Sequence, residues 1–148
     1  MPRIPRRWLP DGFFHVSTRG VDGCAIYRDD LDRLSFLALL ELAVRVYGWD
    51  VYAFCLMTNH YHLVLEADVP PLSAGMQHLN GEHAAAFNQR YARTGHLFGD
   101  RFSTYVIDSD EYLAAACGYV VNNPVRAGLC EHARDWPWSA SRYGLEDA

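Results

Sequence analysis

His60 and His62 stand one residue apart in the run His60-Tyr61-His62-Leu63-Val64-Leu65-Glu66. The run alternates with a period of two, so Tyr61, Leu63 and Leu65 face one way while His60, His62 and Val64 face the other. In an extended strand, side chains two residues apart share a face at about 7 Å spacing. That is close enough for two imidazoles to converge on one divalent ion, with the apolar residues of the opposite face anchoring the strand in a core. The same pattern also describes a half-exposed polar strand face, and the pair alone leaves both readings open.

A second stretch, Tyr112-Leu-Ala-Ala-Ala-Cys-Gly-Tyr119-Val-Val-Asn-Asn123-Pro124, spaces Tyr112, Ala116, Tyr119 and Asn123 along one face of a helix. Should that face cover the histidine strand, the amide oxygen of Asn123 can complete a three-donor site and the phenol of Tyr119 sits beside the ion. Alternatively, Tyr119 is a packing residue and Asn123 the polar end of a helix before proline.

The elements that must position these groups follow from periodicity and punctuation. Phe13 to Thr18 reads as a first strand. Asp29-Asp30 caps a helix from about Leu31 to Tyr47, with Leu34, Leu37, Leu40 and Val44 on its stripe and Gly48 as its stop. Trp49 to Leu56 is a second strand, which Met57-Thr58-Asn59 turns back into the histidine strand as an antiparallel hairpin. Pro70-Pro71 interrupts the pattern, and Leu72-Ser73 opens a long helix reaching about Ala92, with Gly81 a weak point inside it. After a Gly-rich loop, Phe102 to Ile107 alternates as a strand, and Asp108 or Ser109 caps a last helix from Asp110 to about Asn122, stopped by Pro124. The order β-α-β-β-α-β-α predicts an α+β, ferredoxin-like βαββαβ antiparallel sheet with an added C-terminal helix carrying the tyrosine. The open face of the sheet is the place for that seventh element.

A chain of 148 residues, half of them apolar, is expected to fold as one domain over 1–148, with 1–10 as a basic arm and 129–148 as a C-terminal extension. No apolar run approaches the roughly 18 residues of a membrane span, and no signal-peptide core follows the basic start, which predicts a cytoplasmic protein without a membrane partner. Cys24, Cys55, Cys117 and Cys130 show no metal or redox spacing and are expected to be small, reduced, buried hydrophobes. The net charge of −5 speaks against nucleic acid, but its distribution does not: all 13 basic residues are arginine. Arg19 stands in a basic segment over 1–28, and Arg90, Arg93 and Arg101 with His96 form a second basic patch, so one side of the surface can face a polyanion.

With these residues in view, the chain resembles the REP-associated tyrosine transposases, the bacterial relatives of the single-tyrosine transposases in the HUH endonuclease superfamily. The resemblance rests on His60-Tyr61-His62 and on Tyr119 with Asn123-Pro124-Val125-Arg126-Ala127-Gly128. It extends through Phe14-His-Val-Ser-Thr-Arg-Gly20, Ile26-Tyr-Arg-Asp-Asp30, Cys55-Leu-Met-Thr-Asn59, Gly95-His-Leu-Phe98 with Arg101-Phe102, and Asp135-Trp-Pro-Trp-Ser139. There are two departures from the family pattern: Thr58 stands where proline is common, and the pair Gly99-Asp100 where Gln-Gly is common. More distant transposases carry glutamine at the position of Asn123.

The resemblance implies metal-dependent cleavage and rejoining of single-stranded or hairpin DNA, with Tyr119 as nucleophile forming a 5′-phosphotyrosine. His60, His62 and Asn123 would hold Mg2+ or Mn2+, and Arg19, Arg90, Arg93, His96, Arg101 and Arg126 would meet DNA, as REP hairpins are met in the family. Arg126 can equally serve to neutralise the acidic C-terminal region. The family includes both monomers and homodimers. A hairpin-binding protein of the same fold that has lost cleavage is the alternative, and a metal phosphoesterase using water a third possibility.

Overall fold

The computed structural model describes residues 12–145; the expected basic arm at 1–10 lies outside them. The chain runs β1 (Gly12–Arg19), α1 (Asp30–Tyr47), β2 (Asp50–Leu56), β3 (His60–Ala67), α2 (Val69–Arg90), β4 (Ser103–Ile107), α3 (Asp110–Val121), α4 (Asn123–Arg126) and β5 (Ser139–Ser141). The strands form one sheet in the order β4-β1-β3-β2-β5, antiparallel throughout. The first four strands stand in ferredoxin-like order, and the α+β expectation holds.

Strand alternation divides the interior into two layers. Phe14, Val16 and Thr18 of β1 and Tyr61, Leu63 and Leu65 of β3 point to one face, where α1 and α2 cover them with Phe36, Leu40, Leu72, Met76 and Leu79. The opposite face presents Ala53, Cys55, Val64 and Ile107, and α3 lies across it through Leu113, Ala116, Cys117 and Val120. The seventh element therefore occupies the open face, because that apolar patch leaves nothing else to shield it from water. Among the described residues, no helix is long and apolar enough to cross a membrane. Cys55 and Cys117 are buried, Cys24 and Cys130 partly so, and all four are free thiols.

The helix ends follow local chemistry. The carboxylate of Asp29 accepts the Asp32 N–H at 3.0 Å to start α1, and Gly48, at φ 70°, closes it. Ser109 rather than Asp108 caps α3, accepting the Tyr112 N–H at 3.0 Å.

Four details differ from the sequence expectation. The buried stripe of α1 is Asp32, Phe36, Leu40 and Ala43, while Leu34 is 54% exposed, because Phe36 and not Leu34 meets the Tyr27 and Tyr61 rings. Pro70 and Pro71 do not interrupt α2 but sit in its first turn, where a missing N–H costs nothing; the helix starts at Val69 and continues through Gly81 to Arg90. Pro124 likewise opens the short turn α4 rather than ending helical structure. Finally, β5 adds a fifth strand to the β2 edge, held by the Leu56 N–H donating to Trp138 O at 2.8 Å and by Trp136 Nε1 donating to Leu56 O at 3.0 Å.

Candidate active site

Register places the chemistry. In the β1–β3 pair, Arg19 lies opposite His60, Ser17 opposite His62, and His15 opposite Val64. All six side chains belong to the face that α3 covers. At the end of α3 the chain turns through Asn122 into α4, and Asn123 comes down onto the histidines: its Nδ2 is 2.9 Å from His62 Nε2. The Asn123 side chain also acts on His60, where it works against the lowering of that ring's pKa. The His60 and His62 rings are 5.0 Å apart, centre to centre, and nearly perpendicular.

Tyr119, one turn before Asn123, is 53% exposed. It lies beside the buried stripe of α3 rather than within it, so a packing role does not account for it. Its ring meets the edge of His15 at 6.1 Å between centroids, and the Arg126 guanidinium stacks 3.8 Å from its ring centre while donating to the Tyr119 carbonyl at 2.6 Å. Tyr119, Asn123 and the two histidines are thus brought together within one chain.

The donor set suits a divalent cation. Burial pushes both imidazole pKa values down, helped at His62 by His15, His60, Arg126 and Arg19 and at His60 by Arg19; His62 falls to about 3. At neutral pH both rings are uncharged and hold a lone pair without losing a proton. Their Nδ1 atoms are engaged from behind, His60 by Asn59 Oδ1 at 2.7 Å and His62 by His15 Nε2 at 3.0 Å. That leaves both Nε2 atoms for the side on which Asn123 sits, and an amide flip there would offer oxygen. Among the described residues, no group of three His, Cys, Asp or Glu side chains could hold a metal ion by itself.

The arginines divide into two groups. Arg19 and Arg101 line a groove of about 590 Å3 with Ser17, Asp100, Ser103 and the turn at 20–23, adjoining the His60 end of the face. Both are exposed, as are Arg126 and His96. Arg90 is engaged elsewhere: its NH2 lies 2.6 Å from Asp29 Oδ2 and its NH1 2.6 Å from Asp32 Oδ1, tying α2 to the start of α1. Arg93 braces the loop after α2, donating to Asn88 Oδ1 at 3.1 Å and His96 O at 3.0 Å. A run of basic residues in the sequence does not reveal which of them already have carboxylate or carbonyl partners. Sequence reasoning also missed His15 and Asn59. Both lie in runs noted above, but their roles become visible only once the register of β1 on β3 is known.

A ferredoxin-like sheet carries a histidine pair on one strand, with a tyrosine-bearing helix across that same face, and this fold and site accompany membership of a transposase family. Residues 25–123 match the family described as "Transposase IS200 like", and the chain belongs to that family. It is 26% identical over 106 residues to a Haemophilus influenzae protein named as a REP-associated tyrosine transposase, covering 64% of this chain and 60% of that protein's length. Among solved structures it is similar to a REP-associated tyrosine transposase bound to a REP hairpin, with a TM-score of 0.70 and 16% identity over 94% of this chain and 82% of that one. A Deinococcus radiodurans protein described as a transposase aligns at TM-score 0.53 and 17% identity, over 82% of this chain and 97% of its own. The tRNA(His) guanylyltransferase of Saccharomyces cerevisiae also aligns at TM-score 0.53, with 13% identity over 83% of this chain and 69% of its own. The scaffold by itself therefore does not select an activity, and the site residues must.

Proposed function

We propose that this protein cleaves and rejoins single-stranded or hairpin DNA through a covalent 5′-phosphotyrosine on Tyr119, with Mg2+ or Mn2+ held by His60, His62 and Asn123. One observation carries the reading: the Asn123 amide meets His62, whose ring stands 5.0 Å from that of His60, and the same helical segment delivers Tyr119 to the same face one turn earlier. When bound, the ion would supply Lewis-acid contact to non-bridging oxygens of the scissile phosphate and offset the charge developing there.

The chain's own residues do the rest. The Tyr119 hydroxyl oxygen forms a bond to phosphorus as the bond from phosphorus to the 3′ oxygen breaks, and the 3′ oxygen leaves as a hydroxyl, carrying the proton that the phenol gives up. One phosphodiester replaces another at similar free energy, so no nucleotide cofactor is needed, and attack by a second 3′-hydroxyl reverses the step and joins strands. Arg19 and Arg101 in the groove beside His60 would hold phosphates, and exposed His96 lies on the same loop as Arg101. Hairpin DNA as partner is supported by the hairpin-bound relative. Because one chain supplies both the histidines and the tyrosine, a monomer is a sufficient active unit.

The test is a labelled single-stranded hairpin oligonucleotide incubated with protein and Mn2+. A DNA adduct that survives SDS, disappears with EDTA and is absent in Tyr119→Phe is the expected result. Binding with no adduct from the wild-type protein would favour the hairpin-binding alternative, and an adduct-free cleavage that persists in Tyr119→Phe would point to water as nucleophile.

A further inference from the structure

His62 has a partner on each ring nitrogen, and the partner on the far side, His15, lies outside the site residues expected from the sequence. His15 Nε2 lies 3.0 Å from His62 Nδ1, with the two rings 5.1 Å apart. The His15 ring is itself held between two tyrosines, Tyr105 at 5.9 Å and Tyr119 at 6.1 Å. On the near side, the Asn123 amide nitrogen, which can only donate, faces His62 Nε2. With the amide nitrogen turned to His62, Nε2 is the accepting nitrogen, which puts the His62 proton on Nδ1, pointing at His15 Nε2.

We infer that His15 is a positioning residue for the cation site: it accepts the Nδ1 proton of His62, fixes that ring's tautomer and orientation so that the Nε2 lone pair faces Asn123, and sets the Tyr119 ring against the same support. The inference rests on the reading of His60, His62 and Asn123 as metal ligands, and it gives β1 a part in the site. Its position explains how β1 can act there without supplying a ligand. His15 sits two residues out of register from Ser17, the direct partner of His62, and so reaches the back of the ring diagonally. Asn59 does the same for His60 from the preceding turn, its Oδ1 2.7 Å from Nδ1. Groups that orient a ligand histidine through its second nitrogen typically change metal affinity by about 10- to 100-fold when removed.

The experiment reads the tautomer and the affinity separately. Long-range proton–nitrogen spectra of 15N-labelled protein at pH 7.5 show which nitrogen of His62 carries hydrogen, and titration with Mn2+, followed by the electron paramagnetic resonance of the free ion, gives the dissociation constant. Wild type should show His62 protonated on Nδ1. His15→Phe keeps a ring between the tyrosines but cannot accept a proton; it should give a mixed His62 tautomer and bind Mn2+ at least about 10-fold more weakly. His15→Gln, whose amide oxygen can accept the same proton, should recover most of the affinity. A wild-type His62 protonated on Nε2 overturns the inference, as does His15→Phe with unchanged tautomer and unchanged Mn2+ affinity. If His15→Phe fails to fold, as judged by its melting curve, the wild-type tautomer and the His15→Gln titration decide the matter in the same two directions. Mn2+ binding that His60→Ala leaves untouched would instead overturn the ligand reading, and the tautomer result would still judge His15 by itself.

Discussion

Nδ2 of Asn123 lies 2.9 Å from Nε2 of His62, although 61 positions separate them along the chain. The contact closes the site, because it brings the end of the tyrosine helix onto the strand of the two imidazoles. Replacing Asn123 by Leu should remove the third donor and weaken Mn2+ binding by about 10-fold or more, whereas Asn123→Asp supplies a hard anionic oxygen and should hold Mn2+ at least as well as wild type. Calorimetric titration of the two variants checks this; equal affinities in Leu and Asp variants would remove Asn123 from the ligand set.

Arg126 stacks on the Tyr119 ring and bonds its carbonyl, so its role is readable as support of the phenol. An exposed stack of this kind contributes roughly 0.5–1 kcal/mol, which is about 2- to 5-fold in rate if it is lost at the transition state. Arg126→Ala is expected to slow adduct formation by that factor with little change in melting temperature. Arg126→Lys should recover only part, since an ammonium cannot lie flat on the ring. Single-turnover adduct kinetics on the three proteins are the check, and identical rates would assign Arg126 to other work.

Arg90 and Arg101 should part company in a salt titration. Arg101 lines the groove beside His60, while Arg90 spends its guanidinium on Asp29 and Asp32. Arg101→Ala should lower the slope of log affinity against log salt for single-stranded DNA by about 0.7, the share of one phosphate contact. Arg90→Ala should leave the slope alone and lower the melting temperature by several degrees, because it takes the counter-charge from the buried Asp32 carboxylate. The reverse pattern would restore Arg90 to the DNA-contacting group.

Acid should attack the same α1–α2 junction. Asp32 is buried, which pushes its pKa up, but the Tyr91 hydroxyl at 2.6 Å, the Arg28 N–H at 2.8 Å and Arg90 outweigh that and leave it lowered. Asp29 is lowered by its Arg90 bond and by the Asp32 N–H. A carboxylate whose folded pKa is depressed stabilises the fold fully above its unfolded value, near 4, and that contribution fades as pH falls through the lower folded value. Melting temperature should therefore drop steeply below about pH 4. Asp32→Asn should start lower and decline less; parallel curves for the two proteins would show that the junction does not govern acid stability.

Gly20 ends β1 where the chain folds back beneath the groove, and a Cβ there would come 2.2 Å from Cys24 O, a backbone atom that cannot swing aside. Gly20→Ala is expected to destabilise the protein by about 1–3 kcal/mol and to weaken DNA binding through the displaced turn at 20–23. Gly81, where a Cβ meets nothing within 4 Å, is the control: Gly81→Ala should raise stability by up to about 1 kcal/mol. Denaturant melts of the two variants separate the cases, and equal effects would mean that crowding at Gly20 is relieved elsewhere.

Alternation in β1 and β3, the cap ahead of α1, a cap at Asp108 or Ser109 ahead of α3 and the glycine after Tyr47 were legible in the sequence, because each is a local consequence of backbone geometry and of which side chains shun water. From that the strand and helix order followed, and with it the ferredoxin-like sheet and the face on which His60 and His62 stand. What local patterning does not encode is pairing across distance. The Asp29–Arg90–Asp32 junction, the three-residue β5 and the proton acceptor behind His62 all depend on which strand edge or helix end arrives from elsewhere. A basic patch in the sequence could not show that Arg90 already had two carboxylates, nor could a strand motif show that His15 would reach diagonally to His62. The residue types of the site were thus set by the chain, whereas their partners, and so the tautomer and charge state in which each histidine is held, were decided by the register of β1 on β3 and the descent of α3 and α4 onto the open face.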